Sequence, residues 1–75
     1  MIEIKNVNVS VENVKRVHYT EQYYGDNKYM VIEYFTDDDV WIKVADWDEY
    51  AMLLYKLRQE KHRLEIEKEN NNEQN

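Results

Sequence analysis

Seventy-five residues, 43% of them hydrophobic and 35% charged, make one small domain close to the lower limit at which a chain buries a core of its own. No apolar run approaches the roughly 18–20 residues that span a bilayer, and the lack of cysteine excludes disulfides, thiolate metal sites and a cysteine nucleophile. Sixteen acids against ten Lys and Arg, a net charge of −6, weigh against direct nucleic-acid binding, because phosphate contacts need a basic surface.

The opening residues Met1-Ile2-Glu3-Ile4-Lys5 do not read as a secretory signal, since no basic start leads into an apolar stretch. They begin a period-two pattern instead. Ile2 and Ile4 alternate with polar residues, and Val7, Val9 and Val11 continue an alternation, so one strand, straight or kinked, is expected over 2–11. A second strand is expected over 14–24, with Val17, Tyr19 and Tyr23 on one parity. Gly25-Asp26-Asn27 holds the only glycine of the chain and is the strongest turn signal, because Gly and Asn tolerate positive φ. A third strand follows over 28–36, rich in β-branched and aromatic residues, and a fourth over 39–45 with Val40, Ile42 and Val44 on one face. Short connections favour an antiparallel meander.

At Asp46 the period changes. Asp46 and Glu49 stand in the N-cap and N3 relation of a capping box. Trp47, Tyr50, Leu54, Leu57 and Leu64 then recur at helical spacing, widened by Ala51 and Leu53 and interrupted by Lys61. The spacing predicts a helix over about 47–68. Residues 70–75, all Asn, Glu or Gln, have nothing to pack and read as a disordered tail behind a domain of residues 1–69. The expected fold is α+β, ββββα: a small antiparallel meander of about four strands followed by one long C-terminal helix. Some 22 helical residues span about 33 Å, whereas a seven-residue strand covers about 23 Å. The second half of the helix should therefore project or pack on another chain, and a homodimer is the natural way to bury it.

Catalytic chemistry has little to stand on. Ser10 is the only serine and has no nucleophile-elbow glycines around it. His18 and His62 fall on a strand and on a solvent-facing part of the helix. Asp37-Asp38-Asp39 lacks the alternating ligands and central glycine of a calcium loop. The expectation is no enzyme, no metal and no cofactor. Charge pairs at Lys61–Glu65, Arg63–Glu67 and Glu60–Arg63 read as a solvated helix face.

The acid, however, is localised. Residues 21–49 hold nine acids against Lys28 and Lys43, and the remainder of the chain sums to +1. Carboxylates two residues apart on a strand lie about 6.6–6.8 Å apart on one face, and DNA likewise presents a dense line of negative charge. Such a surface can occupy a basic groove made for nucleic acid. Seven tyrosines are also more than a small core needs, and Tyr and Trp are favoured at protein interfaces. The residues expected to meet a partner are Asp37, Asp38 and Asp39 at the turn before the fourth strand, Asp48 and Glu49 at the helix start, and the aromatics Tyr24 and Trp41. Asp46 is set aside because capping gives it a structural role.

Small size, acidity, absent cysteine, surplus tyrosine and a usage in which Gly, Ala, Arg and Pro supply only six residues while Asn supplies eight together resemble small phage-encoded inhibitors of host DNA-replication proteins, such as a staphylococcal-phage inhibitor of the bacterial sliding clamp. The resemblance lies in the length and character of the whole chain. It implies a bacterial cytoplasmic setting, a sliding clamp as partner, and obstruction of the clamp's DNA channel by an acidic surface, with no direct contact to nucleic acid or membrane. A clamp-binding peptide, Gln followed by closely spaced Leu and Phe, is missing: Gln59 is followed by Glu-Lys-His-Arg before Leu64. The resemblance therefore points to the basic channel rather than the peptide cleft. The alternative reading is a structural or regulatory module that docks through its C-terminal helix, with its acidity incidental.

Overall fold

The computed structural model describes residues 1–22 and 25–73, with side chains through residue 69. Its elements run β1 (Ile2–Ile4), β2 (Val7–Val9), a 3-10 turn (Val11–Asn13), β3 (Val14–Glu21), β4 (Lys28–Tyr34), β5 (Val40–Val44) and α1 (Trp47–Glu73). Three strands form one antiparallel sheet in the order β3-β4-β5, and β1 and β2 form a separate antiparallel hairpin. The fold is α+β with a meander and one long C-terminal helix, as expected, but with five strands in two sheets.

The extra strand arises at Lys5-Asn6. Both residues have positive φ, 47° and 68°, the backbone of a two-residue hairpin turn whose twist matches its strands. The expected single strand over 2–11 is thus folded back on itself, pairing Ile2 with Val9 and Ile4 with Val7. All four apolar side chains then share one face, and Ile4 and Val9 are fully buried. Ser10 follows as a turn residue: its hydroxyl accepts from the Asn13 side-chain amide at 3.1 Å, and its carbonyl accepts the Asn13 N–H at 3.1 Å. Between β3 and β4, Gly25 (φ 88°) and Asp26 (φ 52°) turn the chain. Gln22 N–H donates to the Asn27 carbonyl at 2.7 Å and closes the hairpin. β3 ends at Glu21 rather than reaching residue 24; Tyr23 and Tyr24 lie outside the described residues.

Register sorts the sheet into two faces. One carries Val17 and Tyr19 of β3, Met30 and Ile32 of β4, and Val40, Ile42 and Val44 of β5, and it packs under α1. From the helix come Tyr50, Leu53, Leu54, Leu57 and Leu64. Trp47 stands edge-on to Tyr19, with centroids 5.2 Å apart at 80°, and leans on Tyr50 at 5.0 Å. This aromatic trio fixes the helix start over β3. The helix has a second support: α1 runs on over the hairpin and the 3-10 turn, where Ile4, Val9 and Val11 meet the same core. The part of the helix expected to project past the sheet or to pack on another chain is covered there as far as Leu64. The helix continues to Glu73, about 40 Å in all, so residues 70–73, expected to be disordered, carry on its backbone course; Gln74 and Asn75 lie outside the described residues. Of the three helical charge pairs read from the sequence, both on Arg63 form, to Glu60 and to Glu67.

Leu57 is buried where the helix crosses from one support to the other. Leu57→Ala is expected to cost about 2–5 kcal/mol, a large share of what a domain of this size holds, and urea titration followed by far-ultraviolet circular dichroism measures it. Asp46→Ala removes only the helix cap and should cost about 1 kcal/mol in the same titration.

Candidate protein-interaction surface

The second face of the three-stranded sheet has no helix over it. Its rows, read from β3 across to β5, are Arg16 and Glu33; His18, Val31 and Trp41; Thr20, Tyr29 and Lys43. Val31 is buried. Trp41, 49% exposed, stands edge-on to Tyr29 with centroids 5.7 Å apart. Phe35, just past β4 on the same parity, is 72% exposed. Its N–H donates to the Asn13 carbonyl at 3.0 Å, which ties the end of β4 to the start of β3 while the ring faces solvent. The one sign of this exposure in the sequence is its position beside Thr36-Asp37-Asp38, where the strand ends.

Charge on this face is organised around Glu33. Arg16 grips it with two bonds, Nε to Oε2 at 2.5 Å and Nη2 to Oε1 at 3.0 Å, the planar fork that suits a guanidinium. His18 Nε2 lies 3.7 Å from Oε1. The Arg16 bonds hold the Glu33 carboxyl below the usual carboxylate range. Conversely, Glu33 raises the Arg16 pKa, and the nearby Asp39 adds to that field.

Asp37, Asp38 and Asp39 are all exposed in the β4–β5 connection, as a partner-facing group requires. The structure puts Trp41 two residues beyond Asp39 on this same face, so four of the expected contact residues come together. Asp48 and Glu49 do not join them. They lie at the other end of β5, a separation of roughly 13 Å along the strand, and Lys43 on the open face and Lys5 at the edge stand between the two groups. The two acidic groups thus stand at opposite ends of β5, an edge strand to whose flank the β1–β2 turn brings Lys5. Tyr24 lies outside the described residues.

Glu49 has a different occupation. Its Oε2 accepts the Ala45 N–H at 2.7 Å and its Oε1 pairs with Lys5 Nζ at 2.7 Å. The same ammonium donates to the Lys43 carbonyl at 2.8 Å. Asp46 Oδ1 accepts the Glu49 N–H at 2.9 Å, completing a capping box whose reciprocal bond is displaced from the cap residue to the one before it. Lys5 first, and the Ala45 N–H second, hold the Glu49 carboxyl below its ordinary range. Asp48, exposed in the first helical turn, sits where the helix dipole favours negative charge. A shallow groove of about 420 Å³ runs beside this junction, lined among others by Lys5, Val7, Trp41 and Glu49.

Ser10 bonds Asn13, His18 faces Glu33, and among the described residues no three acids or histidines converge on a cation position. Among the described residues, too, no helix is long and apolar enough to cross a membrane. Comparison of the chain with family models, curated proteins and solved structures finds no match.

The Glu49 junction has a signed dependence on pH. A carboxylate with a depressed folded-state pKa stabilises the fold above its unfolded pKa, about 4.3, and that contribution disappears as pH falls through the folded value. Glu49→Gln should therefore melt below the parent at pH 7, and the gap in Tm should close by about pH 3. Differential scanning calorimetry at the two pH values measures it; a gap that stays constant would mean that the carboxylate's charge is not what stabilises the junction.

Proposed function

We propose that the chain is a phage-type inhibitor that binds a host nucleic-acid-handling protein, with the bacterial sliding clamp as the foremost target, and blocks access of DNA. The observation that carries this reading is the Asp37–Asp39 turn: three exposed carboxylates beside the exposed rings of Phe35 and Trp41. Aromatic anchors with a charged rim are the anatomy of a protein-binding surface, and carboxylates in the rim supply what a basic DNA channel attracts. The second acidic group at the helix start would reach the same channel as a separate contact. Asp48 is its free member, since both oxygens of Glu49 are engaged within the fold.

A second reading is favoured by a different observation. Met52 and Tyr55 are 65% and 63% exposed on the outer side of α1, as suits a module that docks through its helix. Salt separates the two readings, since a charge-steered complex weakens steeply as ions are added and an apolar helix contact barely changes.

Asp37→Asn, Asp38→Asn and Asp39→Asn combined keep shape and remove charge. The triple variant should associate more slowly with purified sliding clamp and bind at least about tenfold more weakly at low salt, with a Tm close to that of the parent. Surface plasmon resonance at low and high salt reads both effects. Equal affinity of variant and parent would remove the turn from the contact, and no binding of the parent to the clamp would remove the clamp.

A further inference from the structure

The helix carries a second stripe that the core does not use. Met52, Tyr55, Gln59, His62 and Ile66 follow one another at spacings of three and four, the a and d positions of a heptad. At about 100° per residue they fall within an arc of about 80°. That arc is centred opposite the Tyr50–Leu57–Leu64 face, which is already packed on the sheet and the hairpin. All five side chains are exposed, Ile66 by 43%. Gln59 Nε2 donates to the Tyr55 hydroxyl at 2.7 Å, which holds two of them in line along the stripe. A helix needs one apolar stripe to join its own domain; this one adds a second, with Met52, Tyr55 and Ile66 flanking the polar Gln59 and His62.

We propose that α1 pairs with α1 of a second copy of this chain, antiparallel, about a two-fold axis passing between Glu60 and Lys61. In that register a positions face d positions: Tyr55 meets the partner's Ile66, Gln59 meets the partner's His62, and Met52 lies against the aliphatic stem of the partner's Glu69. The apolar contacts sit outside and the polar amide–imidazole pairs at the centre, where a polar layer sets register. Charge decides the direction. Antiparallel pairing brings Arg58 beside the partner's Glu65, twice over by symmetry. Parallel pairing would offer no opposite-charge pair at these flanks, leaving Arg58 facing the partner's Arg63, and would stack Gln59 on Gln59 and His62 on His62. The other flank of the antiparallel pair places Lys56 near the partner's Arg63, but that guanidinium is already compensated by Glu60 and Glu67 of its own helix. Each protomer's sheet and hairpin lie on the far side of its helix, so the two bodies do not collide. The pairing is independent of whatever protein the Asp37–Asp39 turn meets and is tested without it.

Sedimentation equilibrium of the full chain between about 1 and 500 μM should show a monomer–dimer equilibrium, since mass action populates a weak dimer only at the upper end. Tyr55→Glu, at an exposed position, should abolish the dimer and leave the circular dichroism spectrum intact. Arg58→Glu and Glu65→Arg should each weaken the dimer by about tenfold, because each pair occurs twice, and the two together should restore it. The two positions are seven residues apart on one helix, too far to rescue each other within a chain. A monomer throughout, a dimer indifferent to Tyr55→Glu, or a double charge swap weaker than either single change would overturn the proposal. Orientation has its own readout in a chain without cysteine. Tyr55→Cys mixed with Ile66→Cys should form a disulfide-linked heterodimer under mild oxidation, while cross-linking of Tyr55→Cys with itself would indicate a parallel pair and refute the register.

Discussion

The constraint behind this fold is that one helical stripe must be covered by two pieces of β-structure, neither of them stable alone. A two-stranded hairpin is marginal in water, and a three-stranded sheet needs an apolar face buried against something. Tyr50, Leu53 and Leu54 meet the meander, and Leu57 and Leu64 carry the contact on to the hairpin and 3-10 turn. The helix is therefore the common floor on which both pieces rest. A few charged bonds fix how they meet. Glu49 holds the Ala45 N–H behind the helix start, and Lys5 connects the hairpin turn to both Glu49 and the Lys43 carbonyl. Apolar burial drives the assembly, and the Lys5–Glu49 junction sets the angle at which hairpin, sheet and helix join.

Most of the architecture was legible in the sequence. The change from period two to period 3.6 at Asp46 marks the start of the helix, and the Gly25–Asn27 cluster marks the β3–β4 turn. The strand that turned out to be a hairpin was also written there, in a subtler form. Ile2 and Ile4 occupy even positions, whereas Val7 and Val9 occupy odd ones, and a change of parity in a half-buried strand means that the chain has turned or bulged. Lys5-Asn6 is the break. Lysine is a poor advertisement for a turn, and its positive φ is not something local propensity reveals.

The candidate surface was legible to a lesser degree. Exposed acids could be listed from the sequence, but closeness along the chain does not become closeness in space when an edge strand lies between the residues. Trp41 lies on the open face of β5, two residues past Asp39, which precedes the strand. Glu49 is drawn instead to Lys5, forty-four positions away in sequence, a partner that only the folded hairpin supplies. The exposure of the Phe35 ring and of the outer stripe of α1 follows from a related constraint. Once the sheet register is fixed, only one face of the sheet and one stripe of the helix are needed to fill the core, a limit that residue type alone does not reveal.

The Lys5 ammonium on the Lys43 carbonyl has one more consequence. β5 is an outer strand, and the backbone groups along its unpaired side are a template on which the strand of another molecule can add. Natural sheets guard such borders with charge, with short strands or with a covering segment. Here β5 is only five residues long, and a lysine held in place by the hairpin turn occupies one of its outward carbonyls. The N-terminal hairpin, through Lys5, thus occupies part of a border on which another strand could add, so one edge of the meander is guarded by the docking of residues 2–9 as well as by its own shortness.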